Sequence, residues 1–288
     1  MTKTAWVFPG QGAQAVGMGA DLADFSSAQL AEAEEILGKS VIEICQDETL
    51  LNDTRYTQPC LYVVECALAD LLIEKGHKPD IVAGHSLGEY SALYVAGVFD
   101  FASGLRLVKR RAELMSQASE GAMAALMGFK RDELDAKIAE TAGVVLANDN
   151  NPGQVVISGT PEAVDTVIEE IKTRRAVKLN VSGAFHSPLM ADASKAFESI
   201  LAEVSFNNAS IPVMSNVDPS PETDAIALKE RLTQQMTGSV RWREISLNLP
   251  DQGVASVVEV GPGKVLTGLI KRTCKGLELK NVSTADAT

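Results

Sequence analysis

A chain of 288 residues, 45% apolar and 22% charged, is long enough to bury a large core and has no repeat or low-complexity tract. Its net charge of −12 argues against nucleic acid as a partner, since phosphate binding needs a basic face. No apolar run reaches the length of a membrane span, and the four cysteines, at 45, 60, 66 and 274, have neither metal-ligand spacing nor the density of a disulfide framework. A cytoplasmic protein with reduced thiols, no metal and no membrane association is therefore expected.

Residues 4–8 read as a first strand rather than a signal peptide, and the strand ends in Pro9-Gly10-Gln11-Gly12-Ala13-Gln14. Helical patterns follow at 26–37 and 59–75; in the second, Leu61, Val64, Leu68, Leu71 and Leu72 recur at spacings of three and four. Pro79-Asp80 marks a turn, 81–83 a short apolar strand, and 87–99 a helix closed near Gly97. Asp100 caps a further helix to about 118, with Leu105, Val108 and Met115 on one side and Arg111 off it.

From 122 the order changes to strand 123–129, helix 131–141, strands 144–147 and 155–158, helix 161–173 and strand 177–181. That is βαββαβ, a ferredoxin-like arrangement, with Asn148-Asp149-Asn150-Asn151-Pro152-Gly153 as the turn between its central strands. A helix at 188–204, strands at 213–216 and 257–260 and a helix at 265–272 complete the pattern. The expected fold is α/β. An α/β-hydrolase-like parallel-sheet body, 1–121 and 184–288, would carry an inserted ferredoxin-like subdomain, 122–183.

Between the strand at 81–83 and the next helix stands Gly84-His85-Ser86-Leu87-Gly88. In a nucleophile elbow the two glycines let strand and helix approach closely, Ser86 projects from the turn, and the Leu87 backbone N–H is aimed at the same space, as stabilising an oxyanion requires. The alternative is a tight turn whose serine only caps the helix. A nucleophilic serine needs a base, and three histidines are available. His77 lies in a polar turn, and His85, adjacent to Ser86, points the other way. His186, after the Gly183-Ala184 break, is the candidate. Arg111 could bind a substrate carboxylate or could be a surface member of the run Lys109-Arg110-Arg111. Gln11 could give its backbone N–H to an oxyanion or merely end the first strand. Two further basic clusters, Arg174-Arg175 with Lys178 and Lys271-Arg272 with Lys275, are solvated surface or docking points for an acidic partner.

Phe8-Pro9-Gly10-Gln11-Gly12, Gly84-His85-Ser86-Leu87-Gly88-Glu89-Tyr90, Arg111, Ala184-Phe185-His186-Ser187 and Val260-Gly261-Pro262-Gly263-Lys264-Val265-Leu266 occur in the order and approximate spacing of malonyl-CoA:acyl carrier protein transacylases, which the chain resembles over all but its last dozen residues or so. The resemblance implies malonyl transfer from coenzyme A to the phosphopantetheine thiol of acyl carrier protein, for fatty acid synthesis, through a serine ester. It implies Ser86 as nucleophile, His186 as base, Arg111 as the carboxylate ligand, Gln11 and Leu87 as oxyanion donors, and Asn150 near the acyl pocket. It further implies a histidine oriented by backbone carbonyl rather than by an aspartate, and the phenylalanine of Ala184-Phe185-His186 as a mark of malonyl over methylmalonyl units. No cofactor is implied, the coenzyme A thioester being a substrate, and a monomer is expected. A polyketide-serving acyltransferase, a serine esterase or thioesterase, and a non-catalytic carrier-binding protein are the alternatives. A buried arginine facing a neutral acyl chain would count against an esterase.

Overall fold

The computed structural model describes residues 2–118 and 121–288. The chain begins with β1 (Lys3–Phe8), passes through four helices, α1 (Ser27–Leu37), α2 (Val41–Gln46), α3 (Glu48–Leu51) and α4 (Thr54–Glu74), and enters β2 (Ile81–Gly84). Two helices follow, α5 (Gly88–Val95) and α6 (Phe101–Gln117). A second unit then runs β3 (Ala122–Met127), α7 (Arg131–Glu140), β4 (Val144–Asn151), β5 (Gln154–Gly159), α8 (Pro161–Glu170) and β6 (Arg175–Lys178). The remainder is α9 (Ala191–Glu203), β7 (Val213–Met214), α10 (Ala225–Gln235), α11 (Trp242–Asp251), β8 (Val254–Val260), α12 (Val265–Thr273) and β9 (Glu278–Val282).

Five strands form a parallel sheet in the order β7-β2-β1-β8-β9, and four form an antiparallel sheet in the order β4-β5-β3-β6. The α/β class and the ferredoxin-like βαββαβ unit are as the residue patterns lead one to expect. In the parallel sheet β1 is buried on both faces. Trp6 and Phe8 enter the core packed by α4 and α6, while Ala5 and Val7 enter the opposite layer with Trp242, Ile245 and Leu266. Alternate side chains of one strand thus serve two cores, which is why it reads as an unbroken apolar run.

Several boundaries differ from the sequence reading. α4 starts at Thr54, capped by Asp53 Oδ1 on the Arg55 N–H (2.9 Å), so Pro59 lies inside the helix instead of opening it. The asparagine run at 148–151 is not a turn: β4 continues through Asn151, and only Pro152 and Gly153 reverse the chain. Arg111 does not stand apart from the apolar face of α6. It is buried with Leu105, Val108 and Met115, at the spacings of three and four that a helix face requires. β7 is shorter than 213–216. The helices α2, α3, α10 and α11 and the edge strand β9 were not assigned from sequence; α2 and α3 are too short to show an apolar period, whereas α11 carries one, with Trp242, Ile245 and Leu249 on its buried face.

The contact that places the site is the crossing of β2, α5 and β1. A Cβ on Gly84 would lie 1.8 Å from the Gly88 carbonyl carbon, and one on Gly88 would lie 2.0 Å from the Phe8 oxygen. Only hydrogen at both positions lets the elbow close onto the sheet. Gly88→Ala is therefore expected to lower unfolding free energy in urea by about 1–3 kcal/mol, the range for overpacking a filled core, and an unchanged midpoint would show that the crossing can yield.

Candidate active site

β2 delivers Ser86 at its carboxyl end, directly before α5. Ser86 has φ 51° and His186 has φ 57°, and among the described residues these are the two non-glycine residues in the left-handed region. Strain of this kind persists only where surrounding contacts impose it. At Ser86 the contacts come from Asn216, just past β7. Its Oδ1 accepts from the Ser86 N–H (2.7 Å), and its Nδ2 donates to Gly84 O (2.6 Å).

Ser86 Oγ lies 2.7 Å from His186 Nε2. His186 Nδ1–H is shared between the carbonyls of Gln235 (2.9 Å) and Gly238 (3.1 Å). Carbonyl oxygens only accept, so Nδ1 carries the proton and Nε2 presents its lone pair to the serine hydroxyl. Burial, reinforced by the Arg111 charge, pulls the His186 imidazole down to about 3, so it is neutral at physiological pH. His85 is a different case. Its Nε2 donates to Asn150 Oδ1 (2.9 Å), its ring packs against Trp242 at 5.6 Å, and burial lowers its basicity too. His77 is exposed on the turn after α4.

Arg111 Nη2 also reaches Ser86 Oγ, at 3.1 Å, so the serine oxygen touches both the histidine and the arginine. The guanidinium is 1% exposed. Gln58 Oε1 accepts from Nη1 (2.7 Å), Gln235 Oε1 accepts from Nη2 (3.1 Å), and the Tyr90 ring lies 5.5 Å away. No carboxylate pairs with it among the described residues, its Nε–H has no partner, and burial lowers its basicity. Gln235 Nε2 further donates to Ser86 O (2.8 Å) and to Glu89 Oε2 (2.7 Å), and burial raises the Glu89 carboxyl above its ordinary range.

The remaining candidates fall around this centre. Leu87 is buried beside Ser86, and neither its N–H nor that of Gln11 donates to another group among the described residues. The Gln11 side chain is tied to Thr54 Oγ1 (3.1 Å). Asn150 is brought to the site by way of His85 rather than by contact with Ser86. The exposed clusters Arg174-Arg175 with Lys178 and Lys271-Arg272 with Lys275 lie on the surface, whereas Arg111 leaves its basic run for the interior. Gln58, Asn216, Gln235 and Gly238 were not foreseen. Their roles use amides and main-chain carbonyls, which carry no sequence signature. A half-buried serine, a neutral imidazole and an unpaired guanidinium, with the serine oxygen within hydrogen-bond reach of both, can form an ester whose acyl group bears a carboxylate.

Comparison with known proteins agrees with this chemistry. The model of the acyl transferase domain family matches residues 5–287. The malonyl CoA-acyl carrier protein transacylase of Synechocystis sp. is 60% identical over 99% of this chain and 98% of its own, and its crystal structure superposes with a TM-score of 0.97. The polyketide biosynthesis malonyl CoA-acyl carrier protein transacylase PksC of Bacillus subtilis is 44% identical over 95% of this chain and 98% of its own. A malonyl-transacylase solved in complex with the type II polyketide acyl-carrier protein AntF has a TM-score of 0.94 at 39% identity, covering 99% of this chain and 97% of its own. The chain belongs to the acyl transferase domain family, among its malonyl-CoA:acyl carrier protein transacylases.

Proposed function

We propose that this protein transfers the malonyl group of malonyl-CoA to the phosphopantetheine thiol of an acyl carrier protein by way of an ester on Ser86. The observation that carries the reading is the meeting of His186 and an uncompensated Arg111 on the Ser86 oxygen. Ser86 Oγ attacks the thioester carbonyl carbon while His186 Nε2 takes its proton. The N–H groups of Gln11 and Leu87 hold the oxyanion. Collapse breaks the carbon–sulfur bond, and the imidazolium returns the proton to the departing coenzyme A thiolate. The carrier thiol then repeats the sequence in reverse, giving its proton to His186 as it attacks the ester, and Ser86 Oγ recovers that proton on leaving. Arg111 holds the malonyl carboxylate throughout, and Asn150 stands at the edge of the acyl pocket. This sequence of steps calls on no metal or cofactor, since Ser86, His186 and Arg111 supply nucleophile, base and carboxylate ligand and coenzyme A is the leaving group of a substrate.

The buried Phe185 ring beside His186 favours malonyl over branched units, although one methyl is worth only about 1–3 kcal/mol. The chain is read as a body of 1–121 and 184–288 with a subdomain of 122–183. Of the two sequence relatives compared, the Synechocystis enzyme is the closer, and extender supply for fatty acid synthesis is the setting proposed. No described helix is long and apolar enough to cross a membrane, and a cytoplasmic monomer that binds no nucleic acid completes the reading.

Intact-protein mass after mixing with malonyl-CoA should show a malonyl adduct that moves to holo acyl carrier protein when the carrier is added. Ser86→Ala should show none; an adduct on that variant would remove the serine from the mechanism. Arg111→Ala should lower kcat/KM for malonyl-CoA about 100-fold, the worth of a charge-assisted pair, and acetyl transfer far less. The same variant carries a pH signature. The Arg111 charge helps hold His186 protonation down near pH 3, so removing it lets the histidine protonate at higher pH, and the acid limb of acetyl transfer should move upward. An unmoved limb would dissociate the two residues. Docking of the carrier on the exposed Lys271 and Arg272 of α12 predicts that reversing both charges raises the carrier KM and leaves the malonyl-CoA KM alone. Equal carrier KM values would place docking elsewhere.

A further inference from the structure

β4 is an edge strand of the antiparallel sheet, and its register with β5 skips Ala147 and Asn150. Bulges of this kind turn backbone groups and side chains out of the regular ladder. At the first, Ala147 O accepts from the Val240 N–H (2.8 Å) and from Ser239 Oγ (3.2 Å). The Asp149 N–H then donates to Val240 O (2.9 Å), so two backbone bonds tie β4 to one residue of the body. At the second bulge Asn150 turns to His85.

Asp149 stands between the bulges and is 3% exposed. Its Oδ2 receives Arg243 Nε from α11 (2.9 Å) and Arg131 Nη1 from α7 (3.0 Å). Among the described residues the pair with Arg243 is the one ion pair that joins the antiparallel-sheet unit to the body; the others stay within one or the other. The segment held this way, 238–243, includes the Gly238 carbonyl that receives His186 Nδ1–H, two residues before Val240. Asp149 thus has the histidine's acceptor on one side and the partner of His85 on the other.

We propose that Asp149 is a positioning residue for acyl transfer, acting through Arg243 and the Val240 backbone to fix the Gly238 carbonyl against His186. The proposal rests on the reading of Ser86 and His186 given above. Asp149 reaches no reacting atom. It acts because a base is effective only while its ring is aimed, and displacement by about 1 Å costs up to about 100-fold in rate. A buried carboxylate with two guanidinium partners is suited to this, since loss of the carboxylate leaves two charges that repel each other across the joint.

The test uses the full-length enzyme with acylatable sites counted by the malonyl adduct. Asp149→Asn and Arg243→Gln are each expected to lower kcat per acylatable site about tenfold, and the double variant should be no slower than either, as a single shared path requires. Arg131→Gln should lower kcat less, because the hydrogen bonds of Arg131 go to Asp135 and Asp149, both within the antiparallel-sheet unit. Thermal midpoints are recorded alongside. A lowered midpoint with wild-type kcat per site in Asp149→Asn would make the pair a matter of stability only and overturn the proposal. Multiplying losses in the double variant would overturn it as well. A wild type that forms no malonyl adduct would instead overturn the Ser86 reading, and this proposal with it.

Discussion

A guanidinium held out of water without a counterion is the constraint on which the site depends. Arg111 is surrounded by neutral acceptors, the amide oxygens of Gln58 and Gln235 and the Ser86 hydroxyl, with the Tyr90 ring beside it. These groups solvate the charge and do not neutralise it. Glu89, which lowers the cost of the charge from a distance, is already taken by Gln235 and by the Asn216 N–H. Burying a cation this way is unfavourable unless something brings the opposite charge. A carboxylate on the acyl group does so, and an acetyl or longer alkyl chain does not.

The second constraint is mechanical. Two residues in the left-handed region cost about 1–3 kcal/mol each, and both contribute an atom to the Ser86–His186 hydrogen bond. Gln235, at the end of α10, shares with Asn216 and Gly238 the contacts that hold this strain. Its main-chain carbonyl holds His186, its amide nitrogen holds Ser86 O and Glu89, and its amide oxygen holds Arg111. The strained serine, the base and the cation are therefore referenced to one residue, through its amide and its main-chain carbonyl. A change in the position of α10 would move all three together rather than pull them apart.

The residues proposed to react were legible because acyl transfer demands particular residue types. Ser86 was marked by Gly84 and Gly88, and the packing explains why: each glycine faces another backbone with no room for Cβ. His186 followed from there being few histidines to choose from. Arg111 was harder, since a run of three basic residues looks like surface, and only the helix face on which position 111 falls separates it from Lys109 and Arg110. The supporting amides were out of reach, because a glutamine that solvates an arginine has the same local pattern as one that faces water. The 148–151 segment was misread for a related reason. Asparagines and an aspartate favour turns in isolation, and here bulges and a neighbouring loop hold them in a strand.

The charge on Arg111 reaches beyond the carboxylate it receives. Burial, and after it that charge, keep His186 a weak base. On the proposed reading, a malonyl carboxylate paired with Arg111 offsets that part of the depression of His186 which comes from the arginine charge, while the larger part, due to burial, remains. On the same reading an acetyl group, which carries no charge, leaves His186 as it is. Discrimination by this route acts on the rate of ester formation, in addition to any difference in binding, which is where specificity for a reacting group is most effective. It also requires that the cation, the serine and the histidine stay within one hydrogen-bonded cluster, and the distances of 2.7 and 3.1 Å at Ser86 Oγ meet that requirement.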